Sequence, residues 1–202
     1  GLGHVVAADR DLSPDTVAID EGAFAPAHGL AETAGWARAV RRAVAGALRE
    51  GHVPVLMGGD HSVAAGSLAG LTDMDKAAHV LWLDAHPDFN TLATTTSGNL
   101  HGTPVALAAG LEGADLVYGA PVTPLDPSRV TMVGIRSVDP PERTLLRANG
   151  VVVHDMRDVD EYGVGELIRQ AIRRAAEANA RIHVSLDVDF LDPDIAPAVG
   201  TT

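Results

Sequence analysis

Three short strings of acidic and histidine residues each follow directly on an apolar run of strand character, and this constrains the chain more than any other feature. The strings are Gly58-Gly59-Asp60-His61-Ser62, Asp84-Ala85-His86-Pro87-Asp88-Phe89-Asn90 and Ser185-Leu186-Asp187-Val188-Asp189. The runs before them are Val53 to Met57, His79 to Leu83 and Arg181 to Leu186. Helical patterns lie between. Glu32 to Glu50 places Trp36, Val40, Val44 and Leu48 at steps of four, with Gly51 as its stop. Apolar strands that alternate with helices predict a parallel sheet covered on both faces. The expected fold is therefore α/β, three layers (α/β/α) around a mostly parallel sheet. In such sheets ligands gather beyond the carboxyl ends of the strands. All three strings occupy that position, so distance along the chain does not keep them apart in space.

The remaining pattern fills in the same architecture. Val5 to Ala8 reads as a short strand, residues 10–30 as a loop, and Ser62 to Leu71 as a helix of small residues. Residues 86–100 read as a polar loop, His101 to Leu111 as a helix and residues 119–128 as a Pro-containing loop. Val130 to Ile135 and Val151 to His154 read as strands, Pro140 to Asn149 and Glu166 to Ala178 as helices. No repeat or linker interrupts residues 1–202, which predicts a single domain.

Composition narrows the function classes. The net charge of −12 and seven aromatics argue against a nucleic-acid partner, which would call for a basic surface and stacking platforms. The chain has no cysteine, which excludes disulfides, thiolate metal sites and cysteine nucleophiles and is compatible with the cytoplasm. No apolar stretch approaches the ~18 residues of a membrane span, so no membrane partner is expected.

The strings themselves offer two imidazoles and at least four carboxylates. A spacing of two puts Asp84, His86 and Asp88 on one side of an extended segment, and Asp187 and Asp189 repeat the device. Gly58 and Gly59 are expected to let the chain turn so that His61 enters the same space. Burying several unpaired carboxylates is costly unless cations accompany them. Two divalent metals about 3.5–4 Å apart use that many, some of them bridging. Oxygen-rich ligation with a minority of imidazole favours Mn²⁺ over a structural zinc. A water between two such ions loses its proton near neutral pH and becomes a nucleophile. The residues thus point to a metal-dependent hydrolase. Asp60 and Asp192 read better as turn or cap formers. The acidic residues Asp155, Asp158 and Asp160 read as a solvated loop, and Arg41-Arg42 and Arg173-Arg174 as exposed helix faces. His4, His28, His52, His79, His154 and His183 read as packing or surface residues.

From about residue 50 onward the chain resembles the ureohydrolase (arginase/agmatinase) family. The segment Thr94-Thr95-Thr96-Ser97-Gly98-Asn99-Leu100-His101-Gly102 is similar to the loop with which the arginase branch holds an α-amino acid. Agmatinases lack that loop. The resemblance implies two Mn²⁺ per subunit. His61, Asp84, Asp88 and Asp187 would hold one; Asp84, His86, Asp187 and Asp189 would hold the other, with Asp84 and Asp187 bridging. Asp88 would also orient the nucleophile. Asn90 and Ser97 would bind the substrate carboxylate with Asn99 nearby, Asp139 the α-amino group, and Thr201 would line the substrate pocket. His101 would shuttle protons. The implied reaction is hydrolysis of L-arginine to L-ornithine and urea. The alternatives are another guanidino or formimino substrate (agmatinase, guanidinobutyrase or formimidoylglutamase activity) or a non-catalytic metal-binding relative. By the same resemblance the partners are a small guanidino substrate and other copies of the chain, in a trimer or hexamer.

The sequence departs from the family at both ends. It stops soon after the third string, before the acidic residue that would pair with the guanidinium and before a strand inserted near the middle of the family's sheet. The N-terminus is also short and lacks the family's usual first strand. The expectation is a truncated member whose apolar strand edges are exposed and open to association.

Overall fold

A computed structural model gives the fold and describes residues 9–197. The Val5 to Ala8 strand and Thr201 lie outside the described residues. Four strands form one sheet in the order β3-β2-β1-β4: β1 (His79–Leu83), β2 (Val130–Ile135), β3 (Val152–Asp155) and β4 (Ile182–Leu186). All the pairings are parallel. Parallel neighbours need crossovers, and helices supply them. The helices are α1 (Leu30–Arg49), α2 (Val63–Met74), α3 (Pro104–Ala108), α4 (Ala114–Tyr118), α5 (Pro140–Ala148), α6 (Met156–Tyr162) and α7 (Val164–Glu177).

Period-two alternation on β1 divides the core. Val80 and Trp82 face one side, where they pack with Val130, Met132, Ala64, Leu68, Val105 and Leu146. Leu81 faces the other side, against Val133 and the α7 residues Leu167 and Ala171. Beyond the first of these faces α1 and α2 pack together, and Ala34, Ala37, Ala65 and Ala69 belong to one buried cluster. Their close approach depends on glycine: a Cβ at Gly66 would stand 2.6 Å from the Ala37 carbonyl oxygen, and one at Gly70 2.7 Å from that of Arg41. This explains why α2 reads as a helix of small residues. Small side chains let its backbone sit between the sheet and α1.

The alternation of strand and helix is as the sequence predicts, with β1 and β2 falling on the expected residues. Several details differ. Val53 to Met57, expected as a strand, has no regular structure; residues 52–58 run without ladder partners. A strand needs a neighbour to satisfy its backbone groups, and an apolar run alone does not provide one. The expected helix over His101 to Leu111 is a 3₁₀ turn (Leu100–Gly102) followed by α3, and α4 comes next, unanticipated. The acidic stretch expected as a solvated loop is α6. Asp155 caps it by accepting from the backbone N–H groups of Arg157 and Asp158, and Asp158 pairs with His154 at 3.0 Å. The arginine pairs are also less free than expected. Arg41 is held by Asp73 and Arg42 by Asp15, each at 2.6 Å, while Arg173 pairs with Glu166 and Arg174 donates to Thr131.

Among the described residues β4 pairs only with β1, so its other edge is open. Val184 and Leu186 on β4, and Val53, Val55 and Met57 in the irregular segment before α2, are between 54% and 91% exposed. This matches the expectation of exposed apolar strand edges.

Candidate metal centre

Sheet register brings the strings together. Leu83 of β1 is paired with Leu186 of β4, so Asp84 and Asp187 leave the sheet side by side. The Asp187 N–H donates to the Leu83 carbonyl at 3.0 Å and the Asp84 N–H to that of Val133 at 3.3 Å. Beyond these points both strands give way to turns built by the acidic residues themselves. Asp84 accepts from the His86 N–H at 2.7 Å, and Asp187 from the Asp189 N–H at 3.0 Å. Asp189 accepts from the Ala85 N–H at 3.1 Å, which ties the second string to the third.

His61 arrives from the turn before α2. Asp60 shapes that turn, as its turn-former reading predicts, by accepting from the Ser62 N–H at 2.9 Å. Neither Gly58 nor Gly59 uses a left-handed conformation. Asp192 likewise closes a local turn, accepting from the Asp194 N–H at 2.8 Å.

The six candidate ligands converge. His61 Nδ1 lies 2.8 Å from Asp84 Oδ2, 3.3 Å from Asp88 Oδ2 and 3.3 Å from Asp187 Oδ2. His86 Nδ1 lies 3.0 Å from Asp189 Oδ2 and 3.5 Å from Asp84 Oδ1. Two trios emerge whose donor atoms all lie within 4.8 Å of one another: His61, Asp84 and Asp187, and Asp84, His86 and Asp189. They share Asp84. Asp88 closes on the first trio from the side and is buried, with a left-handed φ of 50°, which aspartate tolerates better than most residues.

Charge at the cluster follows from these contacts. Burial works against a proton on His61, but Asp187, Asp84 and Asp88 outweigh it and raise its pKa to about 11. Asp189 and Asp84 raise His86 to about 10. Burial pushes Asp88 up to about 7. The contact with His61 holds Asp187 below its ordinary value. Asp189 is lowered as well: burial opposes this, and His86 and the Ala85 N–H prevail.

A cation fits these residues better than a proton does. His61 Nδ1 and Asp84 Oδ2 lie 2.8 Å apart, yet both atoms are buried and have no hydrogen-bond partner among the described residues. Buried polar atoms are nearly always satisfied. An imidazole nitrogen and a carboxylate oxygen aimed at the same point are the donor set of a divalent metal. The other His61 nitrogen, Nε2, lies 2.9 Å from Ser185 Oγ, a partner of the kind that fixes a ligating ring.

Beside the cluster lies a polar cradle. Asn90 Nδ2 donates to Asp139 Oδ2 at 3.4 Å, Thr96 Oγ1 to the same oxygen at 3.3 Å, and Thr94 Oγ1 to Asn90 Oδ1 at 3.0 Å. Ser97 Oγ accepts from the Asn99 N–H at 3.2 Å. Asn90 and Asp139 thus meet although they lie far apart in the chain. His101 sits in the 3₁₀ turn after this loop; among the described residues no hydrogen bond joins it to the ligand cluster.

The sequence reading missed three side chains. Glu142 is buried and accepts from the Phe89 N–H at 2.8 Å and the Asp139 N–H at 3.4 Å, linking the metal string to the cradle. Its signal was present: Asp139 and Glu142 have the spacing of a capping box at the start of α5. Ser185 opens the third string, and nothing in its sequence context marks it as the partner of His61 Nε2. Trp82 looked like strand core, and nothing in its neighbourhood in the sequence says otherwise.

A parallel α/β domain that gathers overlapping carboxylate–imidazole trios at adjacent strand ends defines a class: α/β proteins with a candidate metal site at the carboxyl edge of the sheet. Comparison with known proteins makes this specific. The Arginase family model matches residues 6–202, and the chain belongs to that family. It is 46% identical to the arginase of Brucella melitensis over 206 aligned positions, covering 100% of this chain and 64% of the relative. It is 49% identical to the arginase of Agrobacterium fabrum over 174 positions, covering 83% and 53%. The solved arginase from Bacillus caldovelox superposes with a TM-score of 0.82 at 32% identity, covering 94% of this chain and 63% of that one. The chain therefore spans between about half and two thirds of the length of these relatives, 53% to 64%.

Proposed function

We propose that this chain carries the metal-binding part of an arginase-type ureohydrolase, which hydrolyses the guanidinium group of L-arginine to L-ornithine and urea with two Mn²⁺. The observation that carries the reading is the pair of trios joined at Asp84, with buried His61 Nδ1 and Asp84 Oδ2 unsatisfied between them. His61, Asp84, Asp88 and Asp187 would hold one ion, and Asp84, His86, Asp187 and Asp189 would hold the other. When bound, the ions supply a water that is deprotonated near neutral pH, which a poor electrophile such as guanidinium requires.

The chain's own residues do the rest. Asp88, buried beside His61, accepts a hydrogen bond from the nucleophile and orients it. Asn90 and Ser97 receive the substrate carboxylate through neutral donors, with Asn99 beside them, and Asp139 takes the α-amino group. These contacts hold the guanidinium carbon in place, converting an encounter into an oriented reaction. His101 delivers the proton that lets the amine leave, as an imidazole near neutral pH can. The relatives from Brucella melitensis and Agrobacterium fabrum are arginases, which favours arginine over decarboxylated guanidino substrates. A cytoplasmic location and a trimeric or hexameric assembly complete the proposal.

The test is urea release from L-arginine by the manganese-loaded protein, with metal content determined on the same sample. Two Mn²⁺ per chain and faster turnover of L-arginine than of agmatine are expected. Preference for agmatine would refute the substrate assignment, and bound metal without urea from any guanidino compound would favour a metal-binding role alone.

A further inference from the structure

We propose that Trp82 is a positioning residue for both imidazoles of the metal centre, with one indole fixing the ring plane of His61 and the backbone that carries His86. The inference rests on the two-metal reading above and concerns what holds its ligands.

Trp82 is the fourth residue of β1 and is fully buried. Its ring lies on the His61 imidazole with centroids 4.2 Å apart and planes 15° from parallel. Its Nε1–H donates to the His86 carbonyl oxygen at 3.1 Å. One face of the indole thus meets one candidate ligand, and its edge meets the peptide of the other. The two histidines reach the site by different routes, so no local backbone geometry relates them.

His61 needs such a support. The chain before it, residues 52–58, has no regular structure, and the ring is held in its own plane, by Ser185 at Nε2 and by the carboxylates around Nδ1. Contacts at the two ring nitrogens leave the ring free to tilt about the line that joins them. A flat, immobile surface against its face removes that freedom and keeps Nδ1 aimed between Asp84, Asp88 and Asp187. His86 has the matching problem: its peptide lies in the turn that re-aims the chain after β1. The indole N–H holds that carbonyl and so sets where the side chain leaves the backbone. Core packing alone asks for a large apolar residue here; it asks for neither the near-parallel stack nor the donor at the carbonyl.

Three variants separate the roles. Trp82→Phe keeps a flat face for His61 and removes the donor to His86, whereas Trp82→Leu removes both. Manganese affinity is read by calorimetry, and the melting temperature of each metal-free variant is recorded separately. Affinity is expected to fall in the order wild type, Phe, Leu, with the Phe variant weakened by roughly 10–100-fold, the usual effect of losing an outer-shell partner. Unchanged affinity in a folded Phe or Leu variant, with only the melting temperature lowered, would reduce Trp82 to core packing and overturn the proposal. The third variant, Trp36→Phe, leaves Trp82 as the one indole of the chain. Its emission is expected to be quenched in step with manganese binding, and an unchanged emission at saturation would overturn the proposal even if the Trp82 variants do not fold. Failure of the wild-type protein to bind manganese would instead strike the two-metal reading itself and this inference with it.

Discussion

At the scale of the residue, the centre depends on Asp84 more than on any other side chain. It is buried, it stands in both trios, and its Oδ2 is unsatisfied. Asp84→Ala is expected to abolish retention of both manganese ions rather than one, a larger loss than the roughly 10–100-fold typical of an outer-shell partner. Measuring metal content after dialysis would show it, and retention of one ion at full occupancy would mean that the trios act independently. Proton linkage is a second consequence. With pKa values near 11 and 10, His61 and His86 both carry protons at neutral pH, held there by the carboxylates around them. A metal ligand must be deprotonated, and Asp88, raised to about 7, holds a partial proton as well, so manganese uptake at pH 7 is expected to release roughly two to three protons. The sign follows: groups with raised pKa lose protons more easily as pH rises, so manganese affinity increases with pH across the neutral range. Calorimetry in buffers of different ionisation enthalpy counts the protons, and an affinity independent of pH would contradict the charge state assigned here.

At the scale of the element, α5 is the joint between metal string and cradle. Asp139 begins it, and Glu142, one turn in, reaches back to Phe89 between two functional residues of the second string. Burial pushes the Glu142 carboxyl up to about 7, yet the two N–H donors it accepts from make a carboxylate worth keeping there. Glu142→Ala leaves the Phe89 N–H buried without its acceptor, and a loss of about 1–3 kcal/mol in unfolding free energy is expected. Glu142→Gln retains an acceptor and should lose less; equal losses in denaturant titrations would mean that packing of the side chain, not its oxygens, matters. The elements were legible in the sequence where pattern and partners agreed. β1 and β2 fall on apolar runs that are paired on both sides, and α1 on a four-step repeat. Val53 to Met57 shows the reverse. Its composition is that of a buried strand, but among the described residues no neighbour pairs with it, so the apolar run stays irregular, with Val53, Val55 and Met57 exposed. The α6 segment was misread for a related reason. Its charges suggested a solvated loop, while the cap at Asp155 and the His154–Asp158 pair make a helix of it.

At the scale of the whole molecule, the open edge of β4 dominates. Val184 and Leu186 project from it into solvent, and the apolar segment Val53–Met57 is exposed as well. Unpaired apolar edges recruit other chains. The 202-residue chain is expected to self-associate as its concentration rises, and Val184→Lys combined with Leu186→Thr is expected to shift it toward monomer, because a charge on an edge strand opposes edge-to-edge pairing. Light scattering over a concentration series would decide, and a chain that stays monomeric at every concentration would show that the edge is harmless. The net charge of −12 opposes association and sets the concentration at which it begins.

The sequence by itself determined the class of fold, the six candidate ligands and the side of the sheet on which they lie. Hydrophobic period and the placement of acidic residues at strand ends are local properties, and a local pattern is enough to read them. Tertiary structure alone decided which residues meet. The register of β1 on β4 places Asp84 beside Asp187, the α5 capping box carries Glu142 to Phe89, and packing lays Trp82 on His61. Those contacts join residues far apart in the chain. They depend on strand order and helix position, and no spacing along the sequence encodes them.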